Sequence, residues 1–164
     1  MITLYNVVSK DGFIAGKDGN EDFIPDGMWN DFIDLCKKND VLVMGRKTYD
    51  AIQSYPEELT GELENVSIRK VVITRQIDLS IKPQYEVITT VDEIPVLGEN
   101  ILISSGPTLN SAVIKAGIVD QIILNEIPVI LAEGIPVFEV KPELELISTK
   151  EIDNSIQRRY KVLV

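Results

Sequence analysis

The sequence predicts an α/β fold: a mostly parallel central sheet with helices on both faces and an antiparallel hairpin at its C-terminal edge. Three observations carry this. Short continuous apolar runs recur, VLVM at 41–44, KVVIT at 70–74 and ILIS at 101–104, the pattern of strands covered on both faces. Helical periodicity alternates with such runs through the first 127 residues. Beyond them, two strand patterns follow one another with no helix between, as in an antiparallel pair. A chain of 164 residues with 45% hydrophobic residues can supply one core, and no linker or fixed-period repeat divides it. A single domain over residues 1–164 is expected.

Each element has its own signal. Residues 2–8 read as the first strand, and the Gly-, Asp- and Asn-rich KDGFIAGKDGNEDF after it reads as a loop. From Gly27 to Lys38, Met28, Trp29, Phe32, Ile33, Leu35 and Cys36 share one arc of a helix, with Asp26 as its N-cap and two lysines at its end. A strand at 41–44 closes on Gly45, and residues 46–52 form a short helix before the polar stretch SYPEELTGELENVS. KVVIT and YEVI (85–88) are strands. ILIS runs through a tight turn into a helix with Pro107 at its first position and Gly117 as its stop. A strand over 119–127 follows, then a hairpin turning at Asp153, Asn154 and Ser155.

Composition limits the chemistry. Sixteen Lys+Arg against 26 Asp+Glu give a net charge of -10, the wrong sign for a sequence-independent grip on nucleic acid or anionic lipid. Histidine is absent, which removes His bases, His-containing triads and His-ligated metal sites. The single Cys36 forms neither an internal disulfide nor a thiolate zinc site, so no metal is expected and a reducing compartment fits. No apolar run is long enough to span a membrane, and the first residues lack the pattern of a signal peptide. The expected location is cytoplasmic.

Parallel sheets bind ligands beyond the carboxyl ends of their strands. Three such ends carry related chemistry: Gly45-Arg46-Lys47-Thr48, Thr74-Arg75, and Ser105-Gly106-Pro107-Thr108-Leu109. Glycine admits close backbone approach, helix starts offer free N–H groups to phosphate oxygens, and arginine grips phosphate with a fork. Together they sketch a polyphosphate site; taken singly, the glycines are turn residues and the cations a solvated surface. Neither the Gly-x-Gly-x-x-Gly fingerprint nor a Walker-type phosphate loop is present. Asp31 lies at the margin of the apolar arc, where a carboxyl is either solvated or raised in pKa and able to relay a proton. Trp29 and Phe32 line a pocket for a flat ring or simply fill the core.

In the order SKDGFIAG from Ser9, VLVMGRKTY at 41–49, VVITR at 71–75, SGPTL at 105–109 and GIVDQIILNEIPVILAEGIPVF at 117–138, the chain resembles the dihydrofolate reductase-like superfamily. More closely, it is similar to the riboflavin-biosynthesis reductase domains. The resemblance implies a sheet of about eight strands, NADPH as hydride donor, and a flat pyrimidine or pterin substrate lying against the nicotinamide. It assigns Gly45, Arg46, Lys47 and Thr48 to the cofactor phosphates, Thr74 and Arg75 to the 2′-phosphate, and Ser105, Gly106, Pro107, Thr108 and Leu109 to the pyrophosphate turn. Asp11, Trp29, Phe32 and Asn125 are the substrate-side candidates, with Asp31 the candidate acid and the loop over 10–22 a cover for the ring.

The departures are specific. Classical dihydrofolate reductases have a cis Gly-Gly pair where Ser105 and Gly106 stand, an acid near the position of Trp29, and a supporting threonine where Asn125 stands. The Gly-Pro-Thr-Leu turn is the riboflavin-pathway form. The implied function is NADPH-dependent reduction of a ribosylaminopyrimidine, 5-amino-6-(5-phosphoribosylamino)uracil in type, by direct hydride transfer. Reduction of dihydrofolate or another pterin, and a non-catalytic nucleotide-binding module, are the alternatives. Resemblance also implies a homodimer, and no nucleic-acid or membrane partner is expected.

Overall fold

A computed structural model describes residues 1–76 and 80–163. The main sheet has eight strands in the order β5-β4-β3-β6-β1-β7-β10-β9. They are β1 (Ile2–Ser9), β3 (Val41–Gly45), β4 (Arg69–Ile73), β5 (Tyr85–Ile88), β6 (Ile101–Ile103), β7 (Gln121–Ile127), β9 (Leu144–Ile152) and β10 (Ser155–Val162). The first six in spatial order pair in parallel, and β10 joins β7 and β9 antiparallel. A second sheet pairs only β2 (Phe13–Ala15) with β8 (Ile135–Pro136). The expected architecture, mostly parallel with an antiparallel C-terminal hairpin, is observed.

Alternation along the strands sends side chains to two cores. Tyr5, Leu42, Met44, Val72, Leu102 and Ile123 meet α1 (Gly27–Lys37), α2 (Arg46–Gln53) and α3 (Glu57–Glu64) through Phe32, Ile33, Cys36, Tyr49, Ile52 and Leu63. On the other face Leu4, Val43, Val71, Ile103 and Ile122 meet α4 (Pro107–Lys115) through Val113, and a 3-10 helix (Val91–Val96) through Ile94. Helices thus cover both faces, as continuous apolar strands require.

Several local expectations are corrected. Asp26 occupies the N-cap position of α1 but has helical dihedrals and makes no side-chain cap bond. The polar stretch after α2 contains α3, which buries only Thr60 and Leu63 and starts after Pro56 with Glu57 and Glu58 suiting its N-terminal dipole. The strand expected from residue 119 starts at Gln121. The glycine-rich loop after β1 is not free over its whole length, because β2 anchors it to β8. Of the last strand's apolar residues, Tyr160 and Val162 pack on the second core.

Candidate active site

Strands β3 and β6 are neighbours in the sheet, yet their chains depart to opposite faces, β3 into α2 and β6 into α4. This divergence opens a crevice beyond their carboxyl ends, the place where open α/β sheets hold ligands. Each wall begins with a glycine-capped helix. Gly45 (φ -77, ψ 168) and Gly106 (φ -90, ψ -176) are extended N-cap residues, and neither helix start carries a side-chain cap. Both cap residues are glycines, with no side chain of their own to consume the first-turn N–H groups.

The two walls are tied together at their base. The Gly45 N–H donates to Ser105 Oγ at 3.1 Å. A Cβ at Gly45 would stand 2.9 Å from that oxygen, so a side chain there would push the strand ends apart. At Gly106 a Cβ would meet nothing within 4 Å and would project into open space. Beneath the turn, Asn6 Nδ2 donates to the Ser105 carbonyl at 2.8 Å, and Asn110 Nδ2 reaches Asn6 Oδ1 at 3.0 Å and the Val137 carbonyl at 3.0 Å. The Ser105–Gly106 peptide is trans, since there is no cis bond among the described residues.

The cations are placed unequally. Arg46 lies 5.9 Å over the Tyr49 ring, with Nε on Asp50 at 2.9 Å and Nη2 on Ser80 Oγ at 2.8 Å, so its guanidinium already bridges α2 to the segment after β4. Lys47 is exposed and Thr48 half-buried on the first turn of α2. Thr74 takes a backbone bond to Ile88, and its hydroxyl accepts the Gln76 N–H at 3.2 Å. Arg75, exposed at the end of β4, makes no ion pair among the described residues. On α4, Pro107 takes the first position, where no N–H is needed, and Leu109 Cδ2 lies 4.0 Å from where a Gly45 Cβ would stand. The Thr108 hydroxyl donates to Glu139 Oε1 at 3.1 Å.

A second group lies where α1 crosses β1, β7 and β10. Tyr5 stacks on Phe32 (6.0 Å between centroids, 16°), Phe32 meets Trp29 at 5.5 Å, and Trp29 meets Tyr55 edge-on at 5.8 Å. The Trp29 indole N–H donates to Glu62 at 3.1 Å. Asn125 is fully buried: its Nδ2 donates to the Tyr5 hydroxyl at 3.0 Å and approaches Met28 Sδ at 3.7 Å, while Oδ1 accepts from Gln157 at 3.0 Å. The helix residue facing Asn125 is thus Met28, rather than Trp29 or Asp31. Asp31 is half-buried, and its Oδ2 is a buried oxygen with no hydrogen-bond partner among the described residues. Burial, then the nearby Asp153 and Asp34 carboxylates, push its pKa up against the opposing pull of Lys150. A carboxyl so placed is biased toward holding its proton.

Asp11 is used elsewhere. One carboxylate oxygen takes the Ser9 hydroxyl at 2.6 Å and the Leu131 N–H at 3.1 Å, and the other takes the Ala132 N–H at 2.8 Å. These bonds, Ser9's first, hold its pKa below the usual carboxylate value. They also fix the loop after β1 to the loop after β7, where Ala132 is held at φ 67. Asp11 therefore binds backbone, and its oxygens are spoken for.

A shallow groove of about 520 Å³ lies at the opposite, amino-terminal ends of β3, β4 and β5, beside Asp40, Arg69, Lys70 and Glu86. Its charges are satisfied internally: Lys70 donates to the Val66 and Ile68 carbonyls, and Arg69 forks onto Glu86. It lies away from the glycine-capped helix starts and does not compete with the crevice as a ligand site. Among the described residues no group of three or more His, Cys, Asp or Glu side chains is arranged to hold a metal ion, and no helix is long and apolar enough to cross a membrane.

No protein-family model matches the chain. Among curated proteins it is similar to the uncharacterised protein YwjB of Bacillus subtilis (strain 168), 29% identical over 96% of this chain and 95% of that one. Among solved structures it is similar to a putative riboflavin biosynthesis protein from Shewanella sp. PV-4, with a TM-score of 0.76, 23% identity and 99% of both chains covered. The chain shares the fold of that protein. The same fold aligns 99% of it with 56% of a diaminohydroxyphosphoribosylaminopyrimidine deaminase/5-amino-6-(5-phosphoribosylamino)uracil reductase from Thermotoga maritima, at a TM-score of 0.75 and 14% identity. The chain thus spans about half the length of that protein. Within this fold, the structure gathers Gly45, Ser105, Gly106 and Leu109 at one crevice. Trp29, Phe32 and Asn125 group under α1, and Asp11 stands apart from both. Sequence reasoning missed Tyr5, Asn6, Asn110 and Gln157; Tyr5 and Asn6 carried the signal of polar atoms within an apolar strand, and the other two carried none.

Proposed function

We propose that the protein is an NADPH-dependent reductase of a ribosylaminopyrimidine, 5-amino-6-(5-phosphoribosylamino)uracil in type. The observation that carries this reading is the β3–β6 crevice, where two uncapped, glycine-started helices converge and Gly106 presents bare backbone to open space. That geometry suits a pyrophosphate: two positive helix ends and bare glycine backbone meet a doubly anionic group, with open space at Gly106. Arg75, exposed one strand away, suits an additional phosphate and so favours NADPH over NADH.

NADPH, when bound, supplies the hydride. The chain's own part is to bind, orient and exclude water. The first turns of α2 and α4 hold the phosphates, and the loop over 10–22, fastened at β2, Asp11 and the Tyr55–Glu21 bond, roofs the site. Trp29, half-buried and backed by the core residue Phe32, offers aromatic surface beside the substrate ring, and Asp31, whose pKa burial raises, serves as the candidate proton relay. Met28 facing Asn125, where a classical folate reductase would pair an acid with a threonine, favours the pyrimidine over folate. Two comparison structures named for riboflavin biosynthesis or aminouracil reduction support the same choice. Resemblance adds a homodimer to the proposal, for which β9 offers an exposed outer edge with Leu146 and Ile147 more than half exposed.

Titration of the purified protein with NADPH and NADH, followed by turnover with the aminopyrimidine, tests the reading. Wild-type protein should bind NADPH and oxidise it only when substrate is added. Arg75→Ala should weaken NADPH about tenfold, a loss on the scale of one charge-assisted contact, and leave NADH nearly unchanged. Equal weakening of both dinucleotides would remove Arg75 from the 2′-phosphate site, and no binding of either would sink the proposal.

A further inference from the structure

We infer that the buried amide pair Asn6–Asn110 is a positioning device that turns the Gly106 N–H outward into the crevice as a phosphate-binding donor. The inference rests on the reading of the crevice as the cofactor site.

A trans peptide points its carbonyl and its N–H in opposite directions. The Ser105 carbonyl is drawn into the protein by Asn6 Nδ2 at 2.8 Å, with Asn110 Nδ2 also within 3.3 Å. The N–H of the same peptide unit, that of Gly106, must therefore point away from the core, on the side where a Gly106 Cβ would meet nothing. Without the amides, the Ser105 carbonyl could turn outward and place a negative dipole where an anion is to bind.

Asn110 bears a cost that packing alone does not explain. It is fully buried, one turn before the core residue Val113, and its Oδ1 has no partner among the described residues. An apolar side chain would fill the stripe without leaving a buried acceptor unpaired. What the asparagine adds is donor capacity: its single NH₂ serves Asn6 Oδ1, the Val137 carbonyl and, at longer range, the Ser105 carbonyl. The bond to Asn6 orients that amide toward Ser105. The bond to Val137 brings in the segment whose Glu139 N–H meets Ser111 and whose carboxylate meets Thr108 on the first turns of α4. One side chain thus sets both the peptide plane and the adjoining wall.

The test compares Asn110→Leu and Asn6→Ala with Val113→Ala, a core truncation on the same helix, using NADPH binding, thermal stability and amide hydrogen exchange. Asn110→Leu should weaken NADPH about tenfold and Asn6→Ala by a smaller factor, while Val113→Ala, at a comparable loss of stability, should change it less than about twofold. Exchange of the Gly45 amide, held by Ser105 Oγ, should accelerate in Asn110→Leu beyond what its lowered stability accounts for. Should Asn110→Leu not fold, Asn6→Ala carries the same comparison. NADPH binding in the asparagine variants equal to wild type, or weakened no more than in Val113→Ala, overturns the inference. If wild-type protein itself does not bind NADPH, the cofactor reading fails separately. The clamp is then overturned if Gly45 exchange in Asn110→Leu merely follows its stability.

Discussion

Asp31 shows how one side chain reports on its surroundings. Its pKa is raised, so the folded protein holds the proton more tightly than the unfolded chain, and ionisation opposes folding. That penalty is present above the raised folded value and vanishes below the ordinary value of 3.8. Asp31→Asn should therefore be more stable than wild type at neutral pH, with the gain shrinking as pH falls through the folded value and gone at strongly acid pH. Denaturant titrations across that range check the sign; a variant less stable at neutral pH would mean the carboxylate is paired rather than stranded. The position of Asp31 at the edge of the apolar arc was legible from helical spacing, and so were Gly45 and Gly106 as the glycines of two strand–helix turns. Asn6 and Asn110 were not, because a polar residue on a buried stripe names no partner until strands and helices distant in sequence are brought together. The bonds of Asp11 were hidden for a related reason: an acid in a glycine-rich loop looks available until the backbone it binds, 120 residues away, is in view.

At the level of elements, the strands covered on both faces announced themselves through unbroken apolar runs, and helix α4 through Pro107 and its periodic face. The elements that escaped are those made by tertiary contact. Helix α3 offers Glu-rich sequence with little to bury, and β2 and β8 are too short for any period to show. Their pairing depends on Gly134, where a Cβ would fall 2.3 Å from the Ala15 carbonyl oxygen and 3.1 Å from Phe13 Cβ. Backbone cannot yield as a flexible side chain would, so Gly134→Ala should cost about 1–3 kcal/mol and part β2 from β8. Because β2 fastens the loop over 10–22, hydrogen exchange in that loop should quicken in the same variant; an unchanged melting temperature and loop would show the contact to be relieved at no cost.

For the molecule as a whole, the hairpin leaves β9 as a nine-residue edge with seven consecutive exposed positions. Exposed edges invite pairing with another chain. The proposed homodimer should appear in light scattering as twice the 18.3 kDa chain mass, and Ile147→Lys should return it to a monomer if this edge is the contact. A dimer that survives the substitution would move the interface elsewhere.

The place of β6 bears on how the molecule is assembled. Strands β3, β4 and β5 are neighbours in both sequence and space, and so can form early from local chain. By contrast β6, which arrives some 60 residues after β3, must be inserted between β3 and β1, so that the Gly45–Ser105 bond joins parts of the chain 60 residues apart. The crevice cannot exist in any partly folded form that lacks this strand. Under the proposed function, binding competence is therefore acquired only when the two halves of the sheet close on β6, and a ligand of the crevice would report on completed folding rather than on any part of it.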